Sequence, residues 1–202
     1  GAMHDAAIAA WSLKGWYDFI RPISALRAMA EAGQSSEPEA SDYSTYGLPL
    51  IDGRIERVQV GDPLSGDTGE HVGKLKMYAW RGPNAISDPS LDAAGVGWIL
   101  VENWWPYQRP TFVTPPFAGY VSGHSTYSSA AAVILESLTG DPFFPGGKSE
   151  FSITKEQFLV FEKGPSQDVV LEWATYRDAA DQCSLSRIWG ASTRRLMTSP
   201  VV

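Results

Sequence analysis

The 202-residue chain predicts a mainly α fold: an incomplete helical bundle with long loops and one small β-hairpin. Three observations predict it. Apolar residues recur near helical spacing across residues 4–19. "ISALRAMAEAG" runs from Pro22, suited to a first helical turn, to Gly33, a stop signal. An Ala-rich stretch opens on Ser122, a good N-cap residue, and closes on Gly140. By length this is one domain with enough chain for a sizeable core.

The first helix carries Ala6, Ala7, Ala10, Trp11, Lys14 and Tyr17 before Arg21-Pro22 interrupts it. Residues 34–70, rich in Gly, Ser, Pro and Asp, read as a long loop. A loop of that length in a compact domain often covers a functional mouth. "LDAAGVGWILVENWWPY" reads as a helix ending before Pro106, and Pro110, Pro115 and Pro116 then enforce an extended approach to Ser122. "FSITKEQFLVF" is strand-like and short, and is assigned to the hairpin. Ser166, with Asp168 in the first turn, reads as the N-cap of a last helix through Trp173, Tyr176, Ala180 and Leu185. Trp104, Trp105 and Tyr107 read as packing residues, and His71, in the polar loop, as exposed. No internal repeat is visible.

Composition narrows the function. A net charge of −7 argues against nucleic-acid binding, which wants a basic surface. No apolar run reaches the length of a membrane span, so no membrane partner is expected. Cys183 is alone, which excludes an internal disulfide and leaves the compartment open. Gly1-Ala2-Met3 reads as a vector-derived lead-in to a chain that starts inside a larger protein. Helix faces left uncovered by missing N-terminal helices would favour a homo-oligomer.

The chemistry gathers in three short blocks. Ser122-Gly123-His124 opens a helix, whose first N–H groups and dipole favour an anion. Lys14-x6-Arg21-Pro22 lies upstream and Ser186-Arg187 downstream. Together they supply three cations, a hydroxyl and one imidazole able to pass a proton, which suits a tetrahedral oxyanion. Val-Ser-Gly-His lacks the Gly-x-Ser-x-Gly elbow of a serine nucleophile, and no zinc-spaced cluster or Walker loop is present.

In that order and spacing, the blocks resemble the Lys-x6-Arg-Pro, Ser-Gly-His and Ser-Arg-x5-His motifs of the superfamily that joins vanadium-dependent haloperoxidases to PAP2-type acid phosphatases. "HDAAIAAWSLKGWYDFIRPISALR", "GWILVENWWPYQRPTFVTPPFAGYVSGHSTYSSAAAVILESLTG" and "WATYRDAADQCSLSRIWG" extend the likeness from about His4 to Gly190. The resemblance implies a helical bundle of the haloperoxidase/PAP2 type over residues 1–190. It implies that Lys14, Arg21 and Arg187 bind the equatorial oxygens of vanadate, or of phosphate as a competing ligand. Ser122 and the Gly123 N–H add hydrogen bonds, and His124 is the acid–base residue. Two chemistries follow from it: oxidation of halide by hydrogen peroxide, or hydrolysis of a phosphomonoester. The proline usual before Ser-Gly-His is Val121 here, a change in loop stiffness rather than charge.

The third block departs further. The histidine expected five residues after Arg187, the vanadium ligand or phosphorus nucleophile of the family, is Thr193, and its supporting Asp falls on Met197. Loss of one G from codons for Gly-Gly-Ile-His yields Gly-Ala-Ser-Thr, matching Gly190-Ala191-Ser192-Thr193. Residues 191–202 therefore read as a frameshifted tail. On that reading the chain is a non-catalytic oxyanion-binding fragment, a third functional class beside the two enzymes.

Overall fold

A computed structural model describes residues 1–157 and 159–190. Helices α1 (Ala2–Tyr17), α2 (Pro22–Glu31), α3 (Gly123–Thr139) and α4 (Tyr176–Trp189) form the helical part. Strands β1 (Ile55–Arg57), β2 (Leu75–Trp80) and β3 (Val96–Leu100) make an antiparallel sheet, and β4 (Ser149–Ile153) pairs with β5 (Val169–Trp173). The fold is mainly α, as expected. Ala2 and Met3, read as a lead-in, belong to α1.

α3 is the central helix, packed on one side by α1 and on the other by α4. Small buried residues, Ala10 on α1, Ala132 on α3 and Ala180 on α4, let the helices approach closely. Ser128 Oγ reaches across to the Ala180 carbonyl at 3.2 Å. α2 packs instead on the 3₁₀ turn Val101–Asn103 that follows β3. There Ala30, Leu48, Leu75 and Val101 form a second apolar core, flanked by Leu26, Met29 and Met77.

The stretch expected as a helix before Pro106 is β3 and its 3₁₀ turn. Val96, Trp98 and Ile99 suit a pleated surface, and Gly95, at φ 65°, opens the strand. Pairing with β2 decides the outcome: Lys76 faces Leu100, and Tyr78 packs edge-on to Trp98 at 5.6 Å. The long loop also holds more order than expected. Its Arg57 donates to Asp42, Glu37 and the Ser35 hydroxyl, and to the Gly73 carbonyl. Gly47 passes so close to Ser35 that a Cβ would lie 2.5 Å from its carbonyl carbon.

Of the stretch assigned to the hairpin only residues 151–153 lie in a strand, β4, and its partner is Val169–Trp173, inside the region read as helix. Val169, Val170, Leu171 and Trp173 are better strand formers than helix formers. Ser166 is accordingly not the N-cap. Asp168 Oδ1 accepts from the Lys155 N–H at 2.7 Å, closing the loop between the two strands. α4 starts at Thr175 through a reciprocal capping box: Asp178 N–H donates to Thr175 Oγ1 at 3.0 Å, and Thr175 N–H donates to Asp178 Oδ2 at 2.8 Å. Thr175→Ala is expected to lower the unfolding free energy by about 1 kcal/mol in urea titration, with the slope unchanged.

Candidate oxyanion cavity

The site is held by carbonyl groups just before α3. Arg21 Nε donates to Phe117 O at 2.9 Å, and Lys14 Nζ donates to Ala118 O at 2.9 Å and Gly119 O at 3.2 Å. The Gly119 N–H returns a bond to Phe19 O at 2.7 Å. The end of α1 and the start of α2 thus grip the irregular segment that delivers Ser122. Ser122 Oγ then accepts from the Ser125 N–H at 3.3 Å, capping α3 and setting its first N–H groups toward the cavity.

All six residues assigned to oxyanion chemistry, Lys14, Arg21, Ser122, Gly123, His124 and Arg187, line one cavity of about 480 Å³. That volume lies within the usual range for small-molecule sites and exceeds one tetrahedral anion, leaving room beside it for a second small reactant. No carboxylate among the described residues lines this cavity. The long loop 34–70, expected over a functional mouth, contributes nothing to its walls.

The walls are aromatic. Trp11 and Phe117 pack at 5.3 Å between ring centroids, and Trp11 meets Tyr127 edge-on at 6.3 Å. Lys14 Nζ sits 5.2 Å from the Phe117 ring centre, and the Arg21 guanidinium 5.1 Å from it. These rings escaped the sequence reading, although helical spacing pointed to them. Trp11 precedes Lys14 by three residues, Tyr127 follows His124 by three, and Cys183 precedes Arg187 by four. Ser186 does not line the cavity; its hydroxyl bonds back to Cys183 O at 2.6 Å.

Crowding of like charge sets the electrostatics. Lys14 is only 4% exposed, and burial, helped by the nearby Arg21, lowers its pKa to about 8. Keeping it protonated here costs on the order of 3 kcal/mol relative to water, at about 1.4 kcal/mol per tenfold in proton affinity. Burial and then Arg187 push the Arg21 pKa down, and burial lowers that of Arg187. His124 keeps access to solvent, yet partial burial and the charge of Arg187 move it below the ordinary histidine value. The imidazole is therefore mainly neutral near pH 7.

This donor set fits the oxygens of a tetrahedral oxyanion: three cations, a hydroxyl and a helix start converge where no carboxylate competes. A bare metal cation is not matched, since no cluster of three or more His, Cys, Asp or Glu occurs among the described residues. Thr193, Met197 and the tail 191–202 lie outside the described residues. His4, the remaining histidine, is on the surface of α1 beside Asp5.

Fold and cavity together define a helical-bundle domain with a cationic pocket at its central helix. Comparison with known proteins gives the family. The profile of the VCPO second helical-bundle domain matches residues 1–192, and the chain belongs to this vanadium haloperoxidase-like family. Among solved structures it is similar to a bacterial vanadium-dependent chloroperoxidase in its apo form, with a TM-score of 0.62 and 18% identity. That match covers 96% of this chain and 30% of the other. The holo form of a bacterial vanadium-dependent chloroperoxidase gives a TM-score of 0.60 at 18% identity, over 98% of this chain and 30% of that one. The chain thus spans about 30% of the length of the structures it matches. No curated protein matches it. No helix among the described residues is long and apolar enough to cross a membrane.

Sulfate, dianionic throughout the range, should bind more weakly as pH rises through about 8, where Lys14 loses its proton. The loss expected is about tenfold by roughly pH 9, from proton linkage with a bound anion that holds the ammonium charged. Calorimetric titration checks it. In Lys14→Met the affinity should be lower, with a flat profile across that window.

Proposed function

We propose that this haloperoxidase-like domain binds vanadate, with phosphate competing, and that in the intact protein the site serves peroxide-dependent halide oxidation. One observation carries the reading: the three cations, Ser122, Gly123 and His124 share a single cavity. Bound vanadate would supply Lewis acidity toward hydrogen peroxide, so that hydrogen peroxide, halide and one proton yield hypohalous acid and water.

The chain's own residues have separable tasks. Arg21 and Arg187 would hold equatorial oxygens with guanidinium forks, and Lys14 would add charge from beneath while it anchors the Ala118 and Gly119 carbonyls. Ser122 Oγ and the Gly123 N–H would complete the cradle at the start of α3. His124, neutral near pH 7, would take a proton from the reactant at the cavity mouth and return it to the leaving oxygen. Trp11, Phe117 and Tyr127 would lower the local polarity and strengthen each charge interaction.

Binding and turnover test different parts of this reading. Vanadate and phosphate should raise the melting temperature, and Arg21→Gln should weaken both by about tenfold or more, as loss of a charge-assisted contact predicts. Equal affinity in Arg21→Gln would sink the site. Dye bromination with vanadate, peroxide and bromide is set beside phosphomonoester hydrolysis. Activity in only the second assay would replace the peroxidase reading by the acid phosphatase. Failure of both, with anion binding intact, would leave the non-catalytic fragment, and Thr193→His with a family-like His-x3-Asp tail should then restore turnover.

Exposed apolar side chains at Trp16, Leu138 and Trp189 support self-association. Light scattering at micromolar concentration should show a dimer or larger species, and a stable monomer removes the idea.

A further inference from the structure

A second cleft, of about 850 Å³, shares no lining residue with the oxyanion cavity. It lies where the segment after β2, β3 and the last part of the long loop meet α2 and the Val101–Asn103 turn with the residues that follow it. Its walls include Arg27, Arg81, His71, Trp98, Trp105 and Asn103. No Asp or Glu among the described residues lines it, although the protein carries a net charge of −7.

We propose that this cleft binds a small planar aromatic carboxylate. Each guanidinium is fixed through one nitrogen and keeps its fork available. Arg27 Nε donates to Trp104 O at 2.8 Å, and Arg81 Nε donates to Ala94 O. Among the described residues neither arginine has an ion-pair partner, and their Nη atoms make no hydrogen bond. Two oriented forks in a wall without acids match a carboxylate.

The aromatic half follows from the indoles. Arg27 stacks over the Trp105 ring at 5.0 Å, forming a flat floor of guanidinium and indole. Trp98, braced edge-on by Tyr78, contributes another plane. The Trp105 Nε1–H is buried without a hydrogen-bond partner, a donor in want of an acceptor. A ligand carboxylate oxygen in the indole plane, at the Nε1 edge and within reach of the Arg27 fork, would satisfy it after a side-chain shift. His71 is held at the rim by its Nδ1, 3.1 Å from Leu64 O. This explains why Trp105 and His71, read from the sequence as packing and surface residues, stand together.

The probe is 2-naphthoate, titrated calorimetrically into the 202-residue chain. Binding is expected below about 1 mM, with the neutral 2-naphthalenemethanol at least about tenfold weaker. Arg27→Gln and Arg81→Gln should each weaken naphthoate by about tenfold, and Arg177→Gln, which removes an exposed cation outside both clefts, should leave it within about twofold. The Trp105 indole N–H resonance, assigned through Trp105→Phe, should shift on titration; this readout needs no arginine variant to fold. Any one of three results overturns the proposal: no binding up to about 5 mM, equal affinity for the alcohol, or loss of binding in Arg177→Gln with both cleft arginine variants unchanged.

Discussion

A buried ammonium organises this molecule. Lys14 reaches from α1 to the Ala118 and Gly119 carbonyls and ties the start of the bundle to a segment more than a hundred residues later. Without that tie the proline-rich approach would have no fixed exit, and Ser122 would not open α3 onto the cavity. The same ammonium is desolvated and lies near a second cation, so its charge is costly. The fold accepts the cost because two carbonyls and two aromatic faces surround the group.

The cavity is a place where cations repel one another in an acidic protein. Arg21 lowers the pKa of Lys14, and Arg187 lowers those of Arg21 and His124. Lys14 and Arg21 anchor carbonyls there, yet the mutual repulsion of the cations is a cost that their anchoring role alone does not require. The arrangement becomes favourable when an anion enters, because one ligand then relieves several repulsions at once. Aromatic rings beside the charges lower the local polarity, while Trp11, Phe117 and His124 leave the cavity open to solvent.

Polar anchoring elsewhere shows the contrast between structural and functional charge. Glu162 is buried, but it accepts from Tyr107 Oη at 2.6 Å, Ala94 N at 3.0 Å and Trp80 Nε1 at 3.1 Å. Lys76 is likewise buried against Asp62 and Glu56, and their charges and hydrogen bonds raise its pKa. These groups are matched within the chain. In the two clefts no described residue supplies the matching carboxylate, which is why both read as places for a ligand.

The sequence by itself determined what is local. Ser122 capping, the Gly140 stop, Pro22 at the first turn of α2 and the ordered blocks Lys14-x6-Arg21, Ser122-Gly123-His124 and Ser186-Arg187 depend on residues a few positions apart, and the chemistry of each could be read directly. Tertiary structure decided the rest, because it turned on partners distant in the chain. Val96–Leu100 is a strand because Leu75–Trp80 lies beside it, and Val169–Trp173 because Ser149–Ile153 does. Likewise Trp105, which looks like any packing aromatic, meets Arg27 only once α2 docks on the turn after β3. Helix caps are settled by nearest neighbours along the chain, whereas strand pairing and cavity walls are settled by which surfaces meet when the core is buried.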